Sequence, residues 1–333
     1  MKKVEKSYPL DQSPLYLMQT RKKLADTLGF SPAVLQKLAD GTNNYAKFTI
    51  EQDGKPRDIQ APKATLEKIH RKLFTFLVRI DKPDYLHSGR KKHSYISNAR
   101  VHQGAIPLVK LDIKKFYRSI DGGRVYRFFR ESLKCSPDVA GQLRKLCTVD
   151  EHLPTGSCLS QLLAFFSAKQ MFDELHEYAV ANEVRGTCYV DDLTWSGKNA
   201  TANFLWGTKK IVHSHGFAYH KDHVYTEHQR KVVTGVFISG NDLQVIPSRE
   251  REVWQSLNAL GGVNEGERLK AITSLLGKVS AFSQIDARYL AKVKSLRQRQ
   301  KAMKAQGFVT AQTRPACLIG RSKYNQHQTG QAK

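Results

Sequence analysis

The chain has 333 residues, 40% hydrophobic and 9% aromatic, enough apolar material for a sizeable core in two or three subdomains. Its 54 Lys plus Arg outnumber 30 Asp plus Glu, giving a formal net charge of +24; such an excess opposes compaction and points to a polyanionic partner, nucleic acid before an acidic membrane surface. No run of about 18 apolar residues occurs, so a membrane-spanning helix is excluded, and the five cysteines (Cys135, Cys147, Cys158, Cys188, Cys317) form no C-x-x-C pair, which fits reduced thiols in a cytoplasmic protein better than a disulfide framework or a zinc site.

The opening "MKKVEKSYPLDQSP" is basic, with no apolar stretch behind it, and does not read as a secretory leader. "FSPAVLQKLAD" reads as a helix with Ser31 as N-cap and Pro32 in its first turn. "YAKFTIEQDGKPRDIQAP" holds two β-rich runs around Asp53-Gly54, a hairpin signal. "TLEKIHRKLFTFLVRI" is helical by spacing, with Leu66, Ile69, Leu73, Phe76 and Leu77 on one face. Residues 82–107 are polar, basic and rich in Gly and Ser, and read as an ordered loop region.

"IPLVKLDIKKFYRSI" reads as a strand running into a turn, and "GGRVYRFFRESL" as an amphipathic helix through Val125, Phe128, Phe129 and Leu133. "SPDVAGQLRKLCTV" is a further capped helix, starting at Ser136. "SCLSQLLAFFSAKQMFDELHEYAV" reads as one long apolar helix. "RGTCYVDDLTWSG" is two short β-rich runs meeting at paired aspartates. "TANFLWGTKKIVHSHG" is helical up to Gly216, and "FAYHKDHVYT" and "RKVVTGVFISG" are β-rich. From Val245 onward the pattern is mainly helical, and beyond Asp286 the chain has no acidic residue. Helices and antiparallel hairpins in mixed order predict an α+β fold, followed by a basic helical unit and a polar end.

The aspartates carry the chemical signal. Asp191 and Asp192 sit side by side between Tyr189-Val190 and Leu193-Thr194-Trp195, where burying two adjacent negative charges is costly. Neighbouring strand side chains point to opposite faces, so only a tight turn brings both near one point. A divalent cation there would offset the repulsion, and Mg²⁺ takes few protein oxygens, leaving positions for phosphate and water. A two-ion site needs a further carboxylate. Asp112, at the end of the apolar run "LVKLD", supplies one.

At these residues the sequence resembles the reverse transcriptases. "YVDD" is similar to their catalytic box, "LVKLDIKKFYRSI" to their first catalytic motif and "LPTGSCLSQLLAFF" to the intervening template- and nucleotide-positioning motif, in matching order across about 55–240. "NARVH" matches the N-A-x-x-H motif, and "VTG" the signature after the catalytic hairpin, of the bacterial retron enzymes. The resemblance implies a right hand: N-terminal helices and fingers over 1–107, a palm over 108–240 with part of the fingers interleaved, a basic helical thumb over 241–310 and a polar tail over 311–333. It implies an RNA-directed DNA polymerase that copies part of a dedicated structured non-coding RNA into branched msDNA. Two Mg²⁺ ions and dNTP substrates, a companion effector in anti-phage defence and no membrane attachment go with it.

Residue by residue, the resemblance puts the metals at Asp112, Asp191, Asp192 and Ile113. It makes Tyr117 a steric gate against a ribose 2′-hydroxyl, and sets Arg57 and Lys63 against the triphosphate, where a solvated basic hairpin is the plainer alternative for Lys63. Thr155 and Gly156 lie in the nucleotide-positioning motif, with Thr155 where Gln is commoner; a glycine allows close backbone approach. The proton donor to pyrophosphate falls on Lys221 or His223. Asn98 and His102 contact the RNA or brace the palm. Arg288, Lys292, Arg297 and Arg299 supply a phosphate-facing helix side, unless they form an ordinary solvated face. Two other readings use the same residues: a bacterial defence reverse transcriptase with another template, or an RNA-binding scaffold that restrains an effector.

Overall fold

The computed structural model describes residues 7–52, 54–104 and 106–306; the expected tail over 311–333, Cys317 and Asp53 of the predicted hairpin lie outside them. In chain order the elements are α1 (Arg21–Leu28), α2 (Pro32–Asp40), β1 (Tyr45–Gln52), β2 (Lys55–Pro62), α3 (Ala64–Leu77), α4 (Tyr95–Val101), β3 (Leu108–Ile113), α5 (Phe116–Ser119), α6 (Gly122–Arg127), α7 (Pro137–Cys147), α8 (Ser160–Ser167), α9 (Lys169–Ala181), β4 (Arg185–Tyr189), β5 (Asp192–Ser196), α10 (Ala202–Ser214), β6 (Tyr219–Tyr225), β7 (Lys231–Val233), β8 (Val236–Ser239), β9 (Asp242–Val245), α11 (Pro247–Ala259), α12 (Glu265–Phe282) and α13 (Leu290–Ala305). Mixed helices and antiparallel sheets agree with the α+β expectation. No helix among the described residues is long and apolar enough to cross a membrane.

The described residues form two compact units, 7–82 with 115–169, and 83–114 with 170–306. In the first, β1 and β2 pair antiparallel with Gln52 opposite Lys55, the hairpin expected from the sequence. The predicted caps are present: Ser31 accepts from the Val34 N–H and Ser136 from the Val139 N–H. On α3 the buried face is Leu66, Ile69, His70, Leu73 and Leu77, so His70 takes the place expected for Phe76. Its Nε2 lies 2.8 Å from the Leu146 carbonyl and its Nδ1 2.6 Å from the Ser157 hydroxyl. A carbonyl only accepts, so Nε2 carries the proton and Ser157 donates to Nδ1. Burial holds this imidazole neutral, its pKa pulled down to about 4.

The second unit contains a four-stranded antiparallel sheet in the order β4-β5-β3-β6 and a three-stranded sheet in the order β7-β8-β9. Ile96 and Ala99 of α4 pack with Leu108, Val233, Val236 and Ile238. The three long C-terminal helices share a cluster that includes Val253, Ile272, Leu275, Val279, Val293 and Leu296.

Two expectations need correction, and a third gains a detail. The loop region 82–107 contains α4, started by a capping box between Ser94 and Ser97. The long apolar helix is two helices, α8 and α9, separated at Ala168. Leu162, Leu163, Ala164, Phe165 and Phe166 are buried all round α8, whereas α9 buries one stripe, Met171, Phe172, Leu175 and Ala179. A single straight helix does not suit two such different burial patterns. The amphipathic helix after Asp121 closes in a π-helical turn, Phe128–Ser132, that buries Phe128 and Phe129.

Candidate active site

β4 and β5 form a hairpin in which Tyr189 pairs with Asp192, so Val190 and Asp191 make a two-residue turn. Val190 has φ +63°, which right-twisted hairpins favour but a β-branched side chain resists, at a cost of about 1–3 kcal/mol. The turn is tied down on two sides. The Val190 N–H donates to Ser88 Oγ at 3.0 Å, and the Asp191 carbonyl accepts from the Ile113 N–H at 3.0 Å.

The central strand β3 places Asp112 directly opposite Asp192. Residues so paired have Cβ atoms about 4.5–5.5 Å apart. Asp191 is half-buried, and burial, with the Asp112 and Asp192 charges beside it, raises its pKa to about 7. Burial and Asp112 raise that of Asp192. The three carboxylates thus gather at one end of the sheet's two inner strands, where the Asp112 charge opposes the ionisation of Asp191 and Asp192.

Asp112 has cationic or protonatable neighbours on its other side. His220 Nε2 lies 2.5 Å from Oδ1 and Lys221 Nζ 3.4 Å from Oδ2. Adjacent strand residues ordinarily point to opposite faces. Here a β-bulge intervenes: Lys110 pairs with His223 and Asp112 with His220, so Lys221 and Asp222 share the place opposite Leu111. Lys221 has φ +51°, and this backbone turn brings both side chains to one carboxylate. Asp222 pairs instead with Lys209 at 2.7 Å, and the His223 ring lies against Tyr225, centroids 4.2 Å apart. Of the two expected proton donors, Lys221 therefore reaches the aspartates and His223 faces elsewhere. Sequence reading missed His220, because the bulge that aims it depends on pairing between strands more than 100 residues apart.

Asn98 and His102 lie wholly inside the second unit. His102 is 0% exposed, with Nδ1 2.7 Å from Ser196 Oγ and Nε2 2.7 Å from Thr187 Oγ1, on β5 and β4. Burial, reinforced by His87 and Arg185, lowers its pKa to about 3. Asn98 is also 0% exposed. His102 thus links the end of α4 to the hairpin strands β4 and β5, whereas both polar atoms of the Asn98 side chain are buried without a hydrogen-bond partner. The "VTG" segment meets the same helix: Thr234 and Gly235, at φ +44° and +79°, turn β7 into β8, and Thr234 Oγ1 donates to the Tyr95 carbonyl at 2.7 Å.

The remaining candidates belong to the other unit or to the C-terminal helices. Arg57 and Lys63 are exposed on and after β2, Lys63 Nζ reaching Asn43 Oδ1 at 2.7 Å. Phe116 is buried and Tyr117 partly exposed, rings tilted with centroids 6.0 Å apart. Thr155 Oγ1 donates to the Asp58 carbonyl at 2.9 Å and accepts from the Gln60 N–H at 3.2 Å. A Cβ on Gly156 would stand 2.8 Å from the Gln60 carbonyl oxygen, so this glycine is required by close packing against β2. Arg288 pairs with Asp286 at 2.6 Å, Lys292 Nζ stands 4.0 Å from the centre of the Trp254 ring, and Arg297 and Arg299 are exposed on α13.

The donor set of Asp112, Asp191 and Asp192 is all carboxylate oxygen, which suits a hard divalent cation, and its mutual repulsion is what such a cation relieves. Among the described residues, no group of three His, Cys, Asp or Glu side chains converges as a closed set of ligands; Asp112 is turned toward His220 and Lys221.

No family model matches the sequence. Individual proteins do. Retron Se72 reverse transcriptase of Salmonella heidelberg is 33% identical over 182 residues, covering 51% of this chain and 46% of that protein. Retron Mx162 reverse transcriptase of Myxococcus xanthus is 26% identical over 281 residues, 73% of this chain and 58% of that protein. Retron Ec86 reverse transcriptase of Escherichia coli is 24% identical over 252 residues, 72% and 78%. The chain thus spans about half the length of the first two relatives and most of the third. Relatives that differ in source agree in kind: the chain is similar to retron reverse transcriptases.

Proposed function

We propose that the chain is an RNA-directed DNA polymerase of retron type, which copies part of a dedicated structured RNA into branched msDNA. The observation that carries this is the set of Asp112, Asp191 and Asp192 at one end of the sheet's inner strands, two of them held in surroundings that oppose their charge. Replacing Asp191 and Asp192 together by Asn is expected to abolish DNA synthesis and leave RNA binding intact, read by primer extension and by gel shift. Undiminished synthesis would falsify the assignment.

In this reading the three carboxylates and the Ile113 main-chain carbonyl hold two Mg²⁺ ions. Such ions, when bound, supply Lewis-acid stabilisation of the attacking and leaving oxygens. His220 and Lys221 hold Asp112 in place, and Lys221 is the better placed of the two expected proton donors. Tyr117 limits the sugar to a deoxyribose by contact, and Arg57 and Lys63 offset triphosphate charge. Arg288, Lys292, Arg297 and Arg299 bind the RNA backbone, which gives affinity without sequence. Specificity for one RNA then rests on its shape. The right-hand layout, with fingers to residue 107, palm to 240 and thumb beyond, is the arrangement these roles call for. A companion effector and a part in anti-phage defence follow from the same reading.

A further inference from the structure

Granting the polymerase reading above, we infer that Ser88 is a positioning residue: its hydroxyl holds Val190 in the left-handed conformation that sets where Asp191 stands. Val190 is a β-branched residue at φ +63°, a conformation it leaves unless its surroundings hold it. The hydroxyl that accepts its N–H, at 3.0 Å, belongs to a side chain only 3% exposed. That hydroxyl is itself supported. Residues 85–88 run along β4, with the Cys188 N–H donating to the Tyr85 carbonyl at 2.8 Å and the His87 N–H to the Cys188 carbonyl at 2.9 Å. Leu86 pairs in parallel with Cys188. The Tyr85 hydroxyl donates to Asp173 Oδ1 on α9 at 2.6 Å, and the His87 ring lies 3.3 Å from Ser97 Oγ in the capping box of α4.

The turn is therefore gripped between two points, Ser88 on Val190 and Ile113 on Asp191. Without the Ser88 acceptor, Val190 gains by returning to negative φ. The peptide between Val190 and Asp191 then rotates, and the Asp191 carboxylate moves away from Asp112 and Asp192. Glycine at 190 has no such preference. In a Val190→Gly chain the turn keeps its shape whether or not residue 88 offers a hydroxyl.

The test is a double-mutant cycle on the full chain. Wild type, Ser88→Ala, Val190→Gly and the double variant are compared for dNTP incorporation on a primed RNA template, for melting temperature and for amide exchange across 188–193. Ser88→Ala is expected to lower kcat about 10-fold, the scale of one lost hydrogen bond, with little change in KM for dNTP, and to speed exchange at the turn. In the Val190→Gly background, loss of the hydroxyl lowers the melting temperature as before but leaves kcat within about 2-fold of Val190→Gly alone. A kcat loss that is equal in both backgrounds, or that merely follows melting temperature, overturns the inference. If wild type itself incorporates nothing, the polymerase reading fails and exchange alone decides: faster exchange in Ser88→Ala supports the clamp, and unchanged exchange overturns it.

Discussion

Asp191 occupies surroundings that disfavour its charge, so it weakens the fold that carries it. Its pKa is raised to about 7 by burial and by Asp112 and Asp192, whereas an unfolded chain titrates it near its ordinary value. Between those values the folded state holds more protons than the unfolded state, so stability declines as pH rises through that window. Asp191→Asn is therefore expected to stabilise the cation-free protein on the order of 1–3 kcal/mol at pH 8, and to lose that advantage near pH 4. Differential scanning fluorimetry in chelator measures it; a variant no more stable than wild type at pH 8 would contradict the strained-carboxylate account. The aspartates themselves were legible from sequence, because a charged pair in an apolar run has few inexpensive explanations. Their partner His220 was not, since no local pattern reveals a bulge.

Elements position these residues through two connections, one buried and one partly buried. One is His102, which ties α4 to the hairpin strands β4 and β5 through Thr187 and Ser196. With His70 and His87 it is kept neutral by burial, the three pKa values lowered to about 3, 4 and 4. The unfolded chain binds protons on all three below their ordinary value near 6.5, while the folded chain does not. Stability is thus present above that value and lost as pH falls toward 4. Asp191 works in the opposite direction over part of the range, so the slope is best read in the Asp191→Asn chain. Its melting temperature is expected to fall steeply from pH 6.5 to 4.5, and less steeply when His102→Gln is added; equal slopes would remove His102 from the account.

The second connection is the turn at Thr234-Gly235. Gly235 stands at φ +79°, and a Cβ there would meet the Arg249 guanidinium at 2.5 Å, so Gly235→Ala is expected to destabilise by about 1–3 kcal/mol, read by denaturant unfolding. "NARVH" and "VTG" were visible in the sequence as separate motifs. That they meet on α4 was not, because their contact spans more than 130 residues. Local signals did give the capped starts of α2 and α7 and both expected hairpins. They failed where burial changes along the chain, as between α8 and α9.

For the whole molecule the dominant quantity is charge. Under the proposed function, a net +24 with no acidic residue beyond Asp286 is expected to make RNA binding steeply salt-dependent. Replacing Lys292, Arg297 and Arg299 by Gln is expected to lower the slope of log affinity against log salt by about 0.7–0.9 for each phosphate that is no longer neutralised, with Arg288→Gln contributing less because Asp286 already pairs with it. Filter binding at several salt concentrations decides, and an unchanged slope would assign these cations to an ordinary solvated face. Charge was read at once from composition, whereas the RNA that the proposed function calls for is a property of another molecule and of its shape. The most direct measurement is to purify the protein from cells that carry its own gene neighbourhood and separate the bound nucleic acid on a denaturing gel, with and without ribonuclease and debranching enzyme. A short DNA whose mobility shifts after both treatments is the predicted result; RNA alone, with no attached DNA, would contradict retron-type synthesis.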